Sequence, residues 1–235
     1  MRTVVHRIDD LLANAFLLEG EELVLVDTGW PGRHSSILER VRRAGFRPAD
    51  IGHIILTHHH PDHAGNAAEL KKAAGARLLA HPADAPFIEG AEAQPVGSPI
   101  CLTGRFLAAH PRVARRWMGH PPAEVDGALE EGAEVPGLPG TSVMHTPGHT
   151  PGSISLHNPG EGWILVGDAV SHMFGALWLP TLSFSSDLGD IFRSIERIAD
   201  TGAERVFFGH GPTLQGNACA RLRRFAKLRA RLRRS

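Results

Sequence analysis

The chain of 235 residues contains no tyrosine and only two cysteines, Cys101 and Cys219. So few cysteines exclude a disulfide framework; they predict reduced thiols and a cytoplasmic setting. No run of about 18 apolar residues occurs, so no membrane-spanning helix is expected. The opening stretch MRTVVHRIDDLLANAFLLEG is interrupted by Asp9 and Asp10 and shows no small-residue cleavage pattern, so no secretory leader is expected. Excess charge is missing too. Lys plus Arg number 25 and Asp plus Glu 25, so no global field draws the chain to nucleic acid or to an anionic membrane. Histidine, by contrast, is abundant at 15 residues, and neutral imidazole is the commonest protein ligand for zinc-like metals.

The apolar pattern predicts strands and helices in both halves. The first 30 residues read as strands, with Ala15–Leu18 and Leu23–Val26 flanking a turn at Glu19–Glu22. Residues 34–44 read as a helix with Ile37, Leu38 and Val41 at helical spacing. A buried strand from Ile51 to Leu56 leads to a histidine-rich turn. A helix from Ala64 to Ala74 follows, stopped by Gly75, and then a strand from Ala76 to Ala80. Strand signals return at Ser142–His145, Ile154–His157, Trp163–Val166 and Arg205–Phe208, with a helix over residues 187–201. Residues 82–125 are rich in Pro and Gly and read as a helical insert, with short helices at Phe106–Ala109 and Val113–Met118. A basic helix closes the chain over residues 218–234. It carries Leu222, Phe225, Leu228 and Leu232 on one face, which predicts docking on the body of the protein with the charges solvated. This mixture predicts one α/β domain over residues 1–235, two sheets with helices on their outer faces.

The chemistry concentrates in His58-His59-His60-Pro61-Asp62-His63, between a buried strand and a helix. At a strand end residues i and i+2 point the same way, so His58 and His60 can face one metal while His59 points elsewhere. After the turn, Asp62 and His63 can face a second metal. Further candidates recur at later strand ends: His149 in Thr146-Pro147-Gly148-His149, Asp168 after Trp163-Ile164-Leu165-Val166-Gly167, and His210 after Val206-Phe207-Phe208-Gly209. The neighbouring glycines let the backbone turn closely around a small site. Imidazole and carboxylate suit zinc, iron or manganese, and the lack of a nearby cysteine argues against a structural thiolate site. His6, His34, His53, His81, His110, His120, His145 and His157 lack such a context.

This set resembles the metallo-β-lactamase fold superfamily, from about Asn14 to Pro212. His58-x-His60-x-Asp62-His63 is similar to its signature, and His149, Asp168 and His210 match its later ligands in order. The resemblance implies a four-layer αββα sandwich holding two divalent metal ions, zinc first with iron or manganese as alternatives. His58, His60 and His149 would bind one metal, Asp62, His63 and His210 the other, and Asp168 would bridge them. Asp27, in Val26-Asp27-Thr28-Gly29, would support the ligands from behind. The implied reaction is attack by a metal-bridging hydroxide on an ester-like bond, with Asp62 as the catalytic carboxylate that orients the nucleophile.

Asp168 argues against a dedicated β-lactamase, because those members usually lack a carboxylate at the bridging position. Glyoxalase II-like thioesterases and lactonases carry it, and these are the branches the chain resembles. The tyrosines that glyoxalase II and lactonases use near their sites are absent. The apolar 171–186 loop is expected to shape a pocket for a small-molecule substrate, with His172, Met173, Phe174 and Trp178 as its candidate contacts. Two other activities fit the same scaffold: an iron-dependent sulfur dioxygenase-type oxidoreductase, and a phosphodiesterase or nuclease. Homo-oligomerisation is left open.

Overall fold

A computed structural model of the chain describes residues 2–10, 13–95, 97–112 and 119–232. Its first sheet has six strands in sequential order: β1 (Val4–Asp10), β2 (Ala13–Glu19), β3 (Leu23–Val26), β4 (Ile51–Ile55), β5 (Arg77–Ala80) and β6 (Gly127–Ala128). β1 to β3 run antiparallel, and β3 to β6 run parallel. The parallel steps need crossovers, which α1 (His34–Arg43) and α3 (Ala67–Ala74) supply. The second sheet has the order β13-β12-β9-β8-β7, built from β7 (Ser142–His145), β8 (Ile154–Asn158), β9 (Trp163–Leu165), β12 (Arg205–Phe207) and β13 (Leu214–Gln215). A separate hairpin, β10 (Ser171–Met173) with β11 (Ala176–Trp178), stands beside it.

Alternation along each strand divides the apolar residues among three seams. Phe16, Leu18, Val24, Val26, Ile55 and Leu79 of the first sheet meet Val143, Leu156, Trp163, Leu165 and Phe207 of the second, with Trp163 fully buried between them. The intervening residues Leu17, Leu25, Ile54 and Leu78 point outward onto Ile37 and Val41 of α1 and Leu70 of α3. Ile164, Val206 and Phe208 do the same on the other side, against α6 (Leu188–Asp200) and α7 (Ala218–Leu232). The result is an αββα sandwich, as the patterning predicts.

Three local differences bear on the site. The expected helix over 64–74 is split into a single turn, α2 (Pro61–Ala64), and α3. Asn66 makes the break: its Nδ2 donates to the carbonyls of Thr28 and Trp30, and its Oδ1 accepts from the backbone of Arg33 and His34. Together these bonds to a neighbouring loop outweigh the helical conformation at one residue. Second, the 171–186 stretch is not a plain loop but the β10–β11 hairpin followed by a 3-10 turn at Leu182–Phe184. Third, in the 82–125 segment the described helices are α4 (Ala85–Ile88) and α5 (Leu102–Ala109); the helix expected at Val113–Met118 lies outside the described residues. α7 docks through Leu222 and Ala226, but Leu228 of its expected apolar face is exposed, and Leu232's side chain is outside the described set.

Candidate metal centre

The motif residues leave β4 at its C-terminal end, directly above a buried carboxylate. Asp27, at the end of the adjacent parallel strand β3, is fully buried and adopts a left-handed backbone at φ 62°. Such a conformation costs a non-glycine residue about 1–3 kcal/mol. It turns the carboxylate under the site, where it accepts from the Thr57 backbone N–H (2.8 Å), the Thr57 hydroxyl (2.8 Å) and His63 Nδ1 (2.8 Å).

These bonds favour a proton on Nδ1 of three of the rings. The Thr57 hydroxyl gives its proton to Asp27, so His58 Nδ1–H donates to Thr57 Oγ1 at 3.1 Å, leaving Nε2 bare. His63 donates Nδ1–H to Asp27, and His149 donates Nδ1–H to Ser185 Oγ at 3.0 Å, whose own hydroxyl donates to Thr181 O. Each ring is held from behind, with its Nε2 presented forward, the arrangement by which supporting groups orient metal ligands.

All seven expected ligand side chains come together. His58, His60 and His149 form one group that could hold a metal; Asp62, His63 and His210 form another; His58, His63 and Asp168 form a third between them. Asp168 reaches both sides, with Oδ2 at 3.6 Å from His149 Nε2 and 3.0 Å from His210 Nε2, and Oδ1 at 3.5 Å from His63 Nε2. Asp62 Oδ2 lies 3.3 Å from His210 Nε2. His60 Nδ1 and His149 Nε2 are 2.9 Å apart. His59 points away, as expected, to Gln94 and the face of Phe87.

Glycine makes this convergence fit. A Cβ on Gly209 would sit 2.2 Å from Asp168 Oδ1 and 2.8 Å from His63 Cε1. Gly167, at φ 49°, lies where a Cβ would press 2.8 Å against Thr57.

The electrostatics differ across the site. Burial pushes His58 and His60 well below the ordinary histidine value, reinforced by neighbouring imidazoles. Burial likewise lowers His149 to about 4, although Asp168 and Asp62 oppose it. For His63 burial also disfavours charge, but Asp168, Asp27 and Asp62 prevail and raise it to about 9. His210 is raised to about 11, burial being overcome by Asp168 and then Asp62. Burial would raise Asp168, but His210, His63 and His149 hold it far below the ordinary carboxylate range.

Above the cluster opens a cavity of about 310 Å³. Its floor is His60, Asp62, His149, Asp168 and His210, and its walls include Trp30, Met173, Leu179 and Phe184. The expected pocket set needs correction: Met173 lines the cavity, whereas His172, Phe174 and Trp178 do not. Strand alternation in β10 sends Ser171 and Met173 inward and His172 the other way, where Nδ1 donates to Pro212 O and the ring leans on Phe208. Phe174 sits in the hairpin turn at φ 54°, 95% exposed, and Trp178 spans the surface to donate to Met173 O. Leu179, Thr181 and Phe184 of the same stretch line the cavity in their place. The 82–125 segment acts from behind: Ser98 donates to Ser185 O, and Cys101 Sγ lies 3.5 Å from Ser183 Oγ. A larger open groove of about 590 Å³, beside Arg2, Arg205 and Gln215–Ala220, has no histidine among its described lining residues.

Sequence reasoning missed Thr57, Ser185 and the cavity residue Trp30. Position next to the motif was the available signal for Thr57; Ser185 had none.

A sequence profile described as the metallo-beta-lactamase superfamily matches residues 8–210. The "Probable metallo-hydrolase YflN" of Bacillus subtilis (strain 168) is 28% identical over 227 residues, covering 90% of this chain and 85% of that protein. The metallo-beta-lactamase family protein TTHA1429 of Thermus thermophilus superposes with a TM-score of 0.75 at 25% identity, covering 98% of this chain and 80% of that one. TTHA1623, solved in a di-iron-bound form, superposes with a TM-score of 0.67 at 29% identity, covering 93% and 98%.

Proposed function

The chain belongs to the metallo-beta-lactamase superfamily of metal-dependent hydrolases, and from that membership we propose that it is a dinuclear enzyme cleaving a thioester, lactone or related ester-like bond in a small molecule. The observation that carries this reading is the convergence of seven ligand-type side chains with unpartnered buried atoms among them. His58 Nε2, His63 Nε2 and Asp168 Oδ1 are buried without a hydrogen-bond partner. Leaving such atoms unsatisfied costs about 1–3 kcal/mol each, and bound cations would satisfy them. The donor set, nitrogen and carboxylate oxygen without sulfur, fits divalent zinc, iron or manganese.

His58, His60 and His149 would hold one metal, Asp62, His63 and His210 the other, with Asp168 shared. When both are bound, the chemistry supplied is Lewis-acid polarisation of the scissile carbonyl and a water acidified to serve as nucleophile at neutral pH. The protein's own groups do the rest. Asp62 stands on the cavity floor with its side chain 19% exposed, within reach of a substrate. Burial would raise its carboxyl, but His63 and His210 keep it below the ordinary value, so it is an anionic acceptor at neutral pH. It orients the nucleophile and carries a proton to the leaving group. Asp27, Thr57 and Ser185 keep the imidazoles in the tautomer that presents Nε2. Trp30, Met173, Leu179 and Phe184 supply apolar walls suited to a neutral acyl or lactone group. No Lys or Arg is found among the described lining residues, which favours this substrate over a phosphodiester. The free thiols of Cys101 and Cys219 fit a cytoplasmic location.

Zinc is the proposed metal. TTHA1623 in its di-iron-bound form makes iron the second metal to test; the second reading is iron-dependent oxidation of the sulfur dioxygenase type. Metal analysis of freshly purified protein, followed by assays on lactones, thioesters and phosphodiesters, separates the two. Two zinc ions per chain and chelator-sensitive hydrolysis of neutral acyl substrates are expected. Bound iron with oxygen uptake and no hydrolysis would replace the hydrolase reading.

A further inference from the structure

Asp84 is a buried carboxylate that no part of the chemistry above employs. It follows β5 at the N-cap position of α4, where an aspartate ordinarily accepts from its own helix. Here it makes no such bond. Its oxygens instead face two other loops. Oδ2 accepts from the His59 backbone N–H at 2.9 Å and from the Thr150 hydroxyl at 2.7 Å; Oδ1 accepts from the Gly152 backbone N–H at 2.7 Å. The fit is close on the Gly152 side, where a Cβ would come within 2.6 Å of the carboxylate. One loop is the motif turn bearing His58 and His60, and the other carries His149. Asp84 therefore clasps, from a third segment, both chain pieces that build the all-histidine group.

The opposite group has a different clasp. Asn14 of β2 donates Nδ2 to the carbonyls of Phe208 (2.9 Å) and Gly211 (2.7 Å), and its backbone N–H donates to Gly209 O (2.7 Å), so it grips the chain on both sides of His210. The two clasps serve opposite sides of the site and share no partner.

We infer that Asp84 is a positioning residue that sets the spacing of the His58–His60–His149 group independently of the Asp62–His63–His210 group. This rests on the metal reading proposed above. Fixing two loops before a ligand arrives lowers the ordering cost of binding at that group alone. Supporting residues of this kind typically change metal affinity by about 10–100-fold when removed. Asparagine cannot replace the carboxylate, because its amide N–H₂ would face an N–H or O–H donor on one side.

The test titrates the metal-free full chain with Co²⁺, following ligand-field absorption, in wild type, Asp84→Asn, Thr150→Val, Thr150→Ser and Asn14→Ala. His149→Ala identifies the signal of the all-histidine group. The expected result is an affinity loss of about tenfold at that group in Asp84→Asn, with an altered band shape and the other equivalent unchanged. Thr150→Val shows the same selective loss to a smaller degree, Thr150→Ser behaves as wild type, and Asn14→Ala weakens the other equivalent instead. Because Thr150→Val leaves the carboxylate in place, it reports even if Asp84→Asn folds poorly. Equal weakening of both equivalents, no weakening of either, or failure of Thr150→Ser to match wild type would overturn the inference. Wild-type protein that takes up no Co²⁺ would overturn the metal reading itself, and this inference with it.

Discussion

The two sides of the candidate metal centre contain the same kind of side chain under opposite electrostatic conditions. His58, His60 and His149 are buried among one another, and desolvation keeps them neutral. His63 is also buried and His210 partly so, yet nearby carboxylates favour their protonated form: Asp168, Asp27 and Asp62 at His63, Asp168 and Asp62 at His210. Imidazole must be neutral to bind a metal. On the proposed metal reading, the first side would take a cation without proton loss, whereas the second would exchange its protons for one. Within one small site, the placement of carboxylates would decide which half loads freely and which half is linked to pH.

The change that should disturb this contrast most is Asp168→Ala, because Asp168 touches His149, His63 and His210. It should lose at least one metal per chain and reduce hydrolysis by more than about a hundredfold, read by metal analysis and kcat; supporting residues alone reach that range. Asp27→Asn should act mainly on the charged side. It weakens the hold on His63 and should cost about 10–100-fold in affinity for the second equivalent, with the first less affected. A loss shared equally by both would break the contrast. Smaller again is the effect at the walls. Phe184→Ala should raise KM for an apolar acyl substrate by about tenfold or less, whereas Phe174→Ala, removing an exposed ring at the hairpin tip, should leave KM unchanged. Reversal of that order would return Phe174 to the pocket.

The convergence of the seven candidate side chains was legible in the sequence because they sit beside signals that survive without tertiary structure: the dense 58–63 run, and strand ends and turns marked by Gly148, Gly167 and Gly209. The outer layers were legible because Ile37, Val41, Ile191, Ile195 and Ile198 keep helical spacing. What could not be read depends on contacts between distant segments. Asp84, Asn14 and Ser185 are small polar residues without a motif, and each matters through a bond to a loop 36 or more positions away. The pocket assignment failed at the β10–β11 hairpin for a related reason. Strands of three residues leave little periodicity, so which of Ser171, His172 and Met173 faces inward follows only from the pairing of Met173 with Ala176.

The most direct test is to titrate metal-free protein with Zn²⁺ at about pH 6 in a pH-stat, counting protons released as each equivalent binds. At that pH a zinc-bound water, with a pKa of about 7, keeps most of its protons, so the count reports the histidines. The predicted result is two equivalents per chain: one releases almost no protons, and the other releases about two, as His63 and His210 give theirs up. A single equivalent, or protons divided evenly between the two, would contradict a site divided into a neutral half and a charged half.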